Sequence, residues 1–256
     1  MKLKIYVVTH KKVDYPLPEN YSYILVGAKG KENPYEYGDD RLDNISEKNK
    51  YYCELTAAYW IYKNDKENDI VGLAHYRRFF TTNRFSKSIK SYLNKKRIEK
   101  DLSKYDFIAT KLFTTKCSVK EHMEENVHSK DLDILEDAIK KVSPDYLESY
   151  HSVLNGNNSY LVNMFITKKK LWDEYYQWLF SIFDEMEKHV NMENYTIQEQ
   201  RLYGFLSERL FTVYVRKHNY KVKSYPVHLV GEPMLRIICQ KIALKLGLKQ
   251  KSQKNK

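Results

Sequence analysis

The feature that most constrains this chain is a series of short apolar runs, each of which stops abruptly at polar sequence. Residues 3–8, 23–26, 69–74, 105–109 and 160–166 are rich in Ile, Val, Leu, Tyr or Phe and too short for ordinary helices. Between the early runs the apolar spacing turns helical. Tyr52, Leu55, Tyr59 and Tyr62 form a stripe on a helix expected to run from residue 44 or 46 to about 63. Strands alternating with helices predict an α/β fold built on a mostly parallel, doubly wound sheet. The run 69–74 is apolar almost throughout, as in a strand covered on both faces.

After residue 118 the pattern predicts helices over 118–127, 131–142 and 144–153, then two long ones over 168–189 and 198–215. These would form a helical C-terminal part, and an extended segment, 220–229, follows them. A basic helix is expected within 86–102. Asn44 or Ser46 would cap the helix before residue 63, with Glu47 completing a capping box from Asn44. The stretch 27–43 holds three glycines and the pair Asp39–Asp40, so it reads as a loop over a site or a solvated excursion. No repeat or linker divides the chain, which predicts one domain over 1–232 and a tail over 233–256.

The net charge of +11 is unevenly spread: seven Lys or Arg and no acid lie within 236–256. Leu235, Ile238, Cys239, Ile242 and Leu246 share one side of a helix there, although Ile237, Leu244 and Leu248 break the pattern. Such a tail suits an anionic membrane surface, at about 1 kcal/mol per basic residue near the headgroups. A solvated terminus is the alternative. No apolar run reaches the roughly 18 to 20 residues of a spanning helix, and the first residues read as a strand rather than a signal peptide. Cys53, Cys117 and Cys239 lack metal-ligand spacing and read as reduced thiols.

Ligands of open α/β sheets bind beyond the carboxyl ends of the strands. Here Thr9-His10-Lys11, Gly27 and His75-Tyr76-Arg77-Arg78 occupy those ends. Two guanidinium groups and an imidazole suit phosphate oxygens, and the competing reading is ion pairing with Asp39, Asp40 or Asp69. Hard cations prefer paired carboxylates, but Asp39–Asp40 and Asp131/Asp133 do not follow strands. His122 and His128 lack a third zinc ligand, and there is no phosphate-cradling glycine loop or nucleophile elbow.

Three sequence blocks carry a family resemblance: residues 44–49 (Asn-Ile-Ser-Glu-Lys-Asn), residues 53–60 (Cys-Glu-Leu-Thr-Ala-Ala-Tyr-Trp) and residues 71–80 (Val-Gly-Leu-Ala-His-Tyr-Arg-Arg-Phe-Phe). Together with Ser118–His122, His128, Asp131-Leu132, Asn163–Ile166 and Gly204–Leu210, they resemble a bacterial family of capsular and exopolysaccharide glycosyltransferases. That family was first catalogued as a domain of unknown function and includes galactofuranosyltransferases. The resemblance spans about residues 3–230. It implies a GT-A-like fold and transfer of a hexosyl group from a UDP-sugar, such as UDP-galactofuranose, to a lipid-linked oligosaccharide at the inner face of the plasma membrane.

GT-A enzymes commonly hold a metal with Asp-x-Asp after a central strand, whereas this chain has His75-Tyr76-Arg77-Arg78. The expectation is therefore metal-independent catalysis with no cofactor. Thr9 and His10 would meet the uracil or ribose. Asn44, Ser46, Lys48 and Asn49 would meet phosphate together with His75, Arg77 and Arg78. Glu208 or Asp131 would take the acceptor proton, the competing reading of Glu208 being a buried structural ion pair with Arg201 or Arg209, and His128, Asn163 and Met164 would face acceptor or sugar. Two alternatives remain: a nucleic-acid-binding module using the 23 tyrosines and the tail, or a sugar-nucleotide binder that has lost catalysis.

Overall fold

The structure, a computed structural model, describes residues 1–231 apart from 84 and 87, so the expected basic tail lies outside the described residues. In chain order the elements are β1 (Leu3–Thr9), β2 (Tyr21–Leu25), β3 (Tyr37–Gly38), α1 (Asn49–Tyr52), α2 (Leu55–Asn64), β4 (Ile70–His75) and β5 (Arg78–Phe80). Then follow α3 (Lys95–Leu102), β6 (Phe107–Ala109), β7 (Phe113–Thr114), α4 (Val119–Met123), α5 (Ser129–Val142), α6 (Leu147–Asn155) and β8 (Asn158–Ser159). The chain continues through β9 (Phe165–Lys168), α7 (Lys169–Met186), α8 (Leu202–Lys217), β10 (Val222–Ser224) and β11 (Val227–Leu229).

The main sheet has the order β10-β6-β9-β4-β1-β2-β3. β1 lies parallel to β2 and β4, β2 to β3, and β6 to β10. β9 alone in this path runs against its neighbours, pairing Gly72 with Ile166 and Ala109 with Phe165. Its reversed direction carries the residues that precede it to the same edge as the carboxyl ends of β4 and β6. Alternation along β1 sends Ile5 and Val7 to one buried face and Tyr6 and Val8 to the other. Helices α2, α7 and α8 cover the second face, and α3 with the β5 region covers the first, so the sheet is doubly wound as the strand–helix alternation predicts.

Gly72 sits where the sheet is tightest. A Cβ there would meet Ile166 Cγ1 at 2.6 Å and Ile5 Cδ1 at 2.8 Å. Both neighbours are branched side chains held in a packed core. Gly72→Ala is therefore expected to destabilise the fold by about 1–3 kcal/mol through overpacking, read as a lowered thermal midpoint; an unchanged midpoint would contradict this packing.

Several expected boundaries move for identifiable reasons. The helix expected over 44–63 is broken at Cys53, whose φ is +52°. The Asn49 amide spans the break, donating to Cys53 O at 2.7 Å and Thr56 Oγ1 at 3.0 Å. No capping box forms from Asn44, because the Ser46 hydroxyl donates to Asp39 and Glu47 pairs with Lys29. The stretch 27–43 is not a solvated excursion around Asp39, which is fully buried. Its carboxylate accepts from Gly27 N at 2.8 Å, Ala28 N at 3.0 Å and Ser46 Oγ at 2.6 Å, and so remains satisfied inside the protein. The helix expected within 86–102 is confined to α3 after a single turn at Ile89–Ser91. The strand expected from residue 160 begins only at Phe165, because Val162 adopts a φ of +66°. Ser118 opens α4 through a complete capping box with Glu121.

Candidate functional site

Three separate pieces of chain converge on the carboxyl edge of β4. The strand itself ends in His75, the turn before β9 supplies Asn163, and α8 supplies Ser207, Glu208 and Arg209. Gly204 lets α8 approach the helix break, since a Cβ there would meet Cys53 Sγ at 3.2 Å. The break in turn brings Glu54 into the group.

Asn163 is the hub, buried and with its side chain fully committed. Its amide donates to Glu54 Oε1 at 2.7 Å and to Gly204 O at 3.2 Å, and its Oδ1 accepts from Ser207 Oγ at 3.0 Å. Its backbone acts on the His75 imidazole, favouring the charged ring. His75 Nε2 is buried and has no partner among the described residues. Burial lowers the His75 pKa; Arg78 and Arg201 push the same way, and Glu54 opposes them. The ring is therefore neutral at neutral pH, which revises the expectation of an imidazole inside a cationic clamp. In a neutral imidazole one nitrogen donates and the other accepts.

Glu208 is held by the Arg209 guanidinium, and the Val162 backbone also favours its charged form. Burial raises its pKa to about 7; Arg209 and Arg78 pull it down, and Glu54 pushes it further up. Arg209 also bonds His122 Nδ1 at 3.0 Å. A carboxyl poised near neutrality is what proton transfer requires.

Arg78 and Arg201 act electrostatically on His75, and Arg77 precedes Arg78 in the turn after β4. Among the described residues none of the three has a carboxylate within 4.0 Å. Of the suggested alternative partners of the strand-end arginines, Asp39 is engaged as described, Asp69 accepts from Lys2 N at 2.7 Å, and Asp40 pairs with neither arginine, its Oδ1 being buried without a partner among the described residues. Arg78 is partly buried and acts electrostatically on both His75 and Glu208. Arg77 is exposed and lies over the Tyr76 ring at 5.2 Å; His10 meets the same ring edge-on at 5.4 Å. Arg201 donates to Cys53 Sγ at 3.4 Å.

Other expected site residues have different surroundings. Thr9 is buried, its hydroxyl donating to Lys11 O at 2.7 Å. Asn44 clamps its own loop through Asp40 O and Leu42 O. Ser46 is buried against Asp39, and Asn49 faces Gly27. Lys48 is drawn to Glu187 at 2.6 Å, beyond the end of α7. Asp131 is fully buried, and both its oxygens accept from the Tyr195 hydroxyl, at 2.7 and 2.8 Å; His128 lies against the same Tyr195 ring and pairs with Glu199 at 3.2 Å. Met164 is core. The cluster at β4 thus takes in His75, Arg78, Asn163 and Glu208 of the expected set and adds Glu54, Arg201 and Ser207. Glu54 and Ser207 lie inside the family-like sequence blocks, but nothing in their spacing marks them as neighbours.

The donor set after β4 does not fit a hard divalent cation, which favours carboxylate oxygens over an imidazole flanked by guanidiniums. Among the described residues no three His, Cys, Asp or Glu side chains gather in a metal-binding arrangement.

The profile of the domain of unknown function DUF4422 matches residues 4–219. The chain belongs to that family. The matched span holds every side chain of the cluster just described. No curated protein matches the chain. Among solved structures, the apo form of the WbbM bifunctional glycosyltransferase is similar, at 30% identity and a TM-score of 0.83, over 91% of this chain. The chain spans 46% of the length of that protein. The DUF4422 fold is GT-A-like, with its mostly parallel sheet and its helical C-terminal part.

Proposed function

We propose that this DUF4422 protein is a nucleotide-sugar-dependent glycosyltransferase. It would move a hexosyl group, galactofuranosyl from UDP-galactofuranose, with inversion, onto a lipid-linked capsule or exopolysaccharide precursor. The observation that carries the reading is the likeness to a bifunctional glycosyltransferase over 91% of the chain. At the carboxyl edge of the sheet stands Glu208, whose pKa burial raises to about 7, near Arg78, which has no carboxylate within 4.0 Å among the described residues.

In this reading the acceptor hydroxyl oxygen attacks the anomeric carbon from the face opposite UDP. The bond from that carbon to the diphosphate oxygen breaks, and Glu208 takes the acceptor proton. Negative charge growing on the diphosphate is met by Arg77, Arg78 and Arg201, whose planar donor forks match phosphate oxygens. His10 and Tyr76, beside the carboxyl end of β1, would bound the nucleotide. No step is assigned to a metal.

Among the described residues no helix is long and apolar enough to cross a membrane. Work on a lipid-linked acceptor would then place the protein at the inner face of the membrane, with the lysine-rich tail as its contact.

A thermal-shift panel tests the reading. UDP or the correct UDP-sugar at about 100 times its Kd should add about 2.7 kcal/mol of stability, several degrees in midpoint. Product mass on a lipid-linked acceptor then identifies the sugar moved. A panel of UDP-, GDP- and dTDP-sugars that shifts nothing would remove the proposal.

A further inference from the structure

Resting on the transferase reading, we infer that Glu54 and His75 form a hydroxyl-reading subsite: two open polar atoms flanking Asn163 that meet the O–H groups of a sugar ring. Glu54 reaches the site because Cys53, at a φ of +52°, interrupts the helix just before it. One carboxylate oxygen is committed to the Asn163 amide at 2.7 Å. The other is solvent-accessible and accepts no hydrogen bond among the described residues. His75 stands on the other side of Asn163, whose backbone acts on the ring, with Nε2 buried and without a partner among the described residues.

A buried ring nitrogen without a hydrogen-bond partner is unfavourable, and native interiors rarely leave one so unless a ligand or water supplies the partner. The two open atoms share one chemical demand. A carboxylate oxygen only accepts, and a hydroxyl satisfies an imidazole nitrogen in either tautomer, so the occupant both atoms can share presents O–H groups. A phosphate offers none and would be repelled by Glu54 and Glu208. The arginines have the opposite demand, because guanidinium groups only donate. The edge is thereby divided: a hydroxyl-reading floor around Asn163 suits a polyhydroxylated ring, and a cationic rim suits its diphosphate. Ser207 and Gly204 brace the Asn163 side chain, so the floor is set by α8 and the helix break together.

The experiment uses the full-length protein, UDP-galactofuranose as donor probe, and an octyl galactoside as acceptor probe. Fluorinated versions of each probe replace one hydroxyl at a time by a group that cannot donate. Glu54→Gln keeps the bond from Asn163 but turns the open oxygen into an N–H donor. Its kcat/KM is expected to fall roughly 10- to 100-fold while stabilisation by UDP alone is unchanged. In the wild-type protein one fluorinated probe should lose a similar factor, and in Glu54→Gln that same probe should lose little more. If the non-additive probe is the donor, the subsite reads the transferred sugar; if the acceptor, it reads the receiving sugar. Wild-type kcat/KM in Glu54→Gln, penalties that simply multiply for every probe, or loss of UDP binding as well would each overturn the subsite while leaving the transferase reading intact. A wild-type protein that neither binds nor turns over any UDP-sugar would overturn both.

Discussion

Glu208→Gln is expected to reduce sugar transfer about 100- to 10,000-fold while leaving stabilisation by UDP close to that of the wild type. The amide preserves the shape of the side chain and can still accept from Val162 N–H, but it cannot take a proton. The pH dependence gives an independent readout. Because burial holds the folded-state pKa near 7, wild-type kcat should rise with pH through about 7 as the carboxylate forms, and the residual activity of the variant should lack that step. Stability follows the opposite course. A carboxyl with a raised folded-state pKa contributes stability that is complete below its ordinary value of 4.5 and is lost as pH climbs to about 7. Glu208→Gln should therefore flatten the stability curve between those limits. Transfer within a few-fold of wild type would assign the proton to another group.

The architecture was legible because it is written in local patterns. Apolar runs of strand length, separated by helical spacing, specify alternating elements, and the near-continuous run at 70–74 marks the central strand β4. The antiparallel insertion of β9 was not readable, since strand order depends on which faces meet in three dimensions. Yet that insertion is what carries Asn163 to His75. The helix break at Cys53 was equally hidden: no glycine or proline announces it, and tertiary contacts with Arg201 and Gly204 sustain it.

Site residues were legible where the chemistry belongs to a strand end and obscure where it depends on partners. His75 and Arg78 are named by their place after β4, and Glu208 stands out as a carboxylate next to an arginine. Asp131 looked equivalent in sequence, but the Tyr195 hydroxyl, 64 residues away, occupies both its oxygens. Lys48 looked like a phosphate ligand until Glu187, 139 residues on, claimed it. Asp39 shows the same lesson in reverse, because a polar stretch can be interior when backbone N–H groups satisfy its carboxylate. Of the tyrosines at helical spacing, Tyr52 is a packing residue, buried and stacked on Tyr203 at 4.4 Å.

The two arginines that follow β4 differ in a way only the fold reveals, and Arg78→Ala should be the more damaging substitution. Arg78 opens β5, paired antiparallel with His75 and with Leu229 of β11, so its Cα is fixed by the sheet on both sides. Arg77 lies at the exposed tip of the turn, against the Tyr76 ring. Removing a preorganised cation from a leaving diphosphate is expected to lower kcat/KM about 100- to 1,000-fold at Arg78. It also removes a positive charge that pulls the Glu208 pKa down, so the midpoint of the kcat–pH profile should move to higher pH. Arg77→Ala should weaken UDP binding and leave that midpoint in place, since burial, Arg209, Glu54, the Val162 N–H and Arg78 are what set it. Arg78→Lys separates charge from geometry: the midpoint should return toward its wild-type value, but kcat/KM should recover only in part, because an ammonium lacks the planar fork. An Arg78→Ala protein with wild-type kcat/KM and an unmoved profile would show that the diphosphate is neutralised elsewhere.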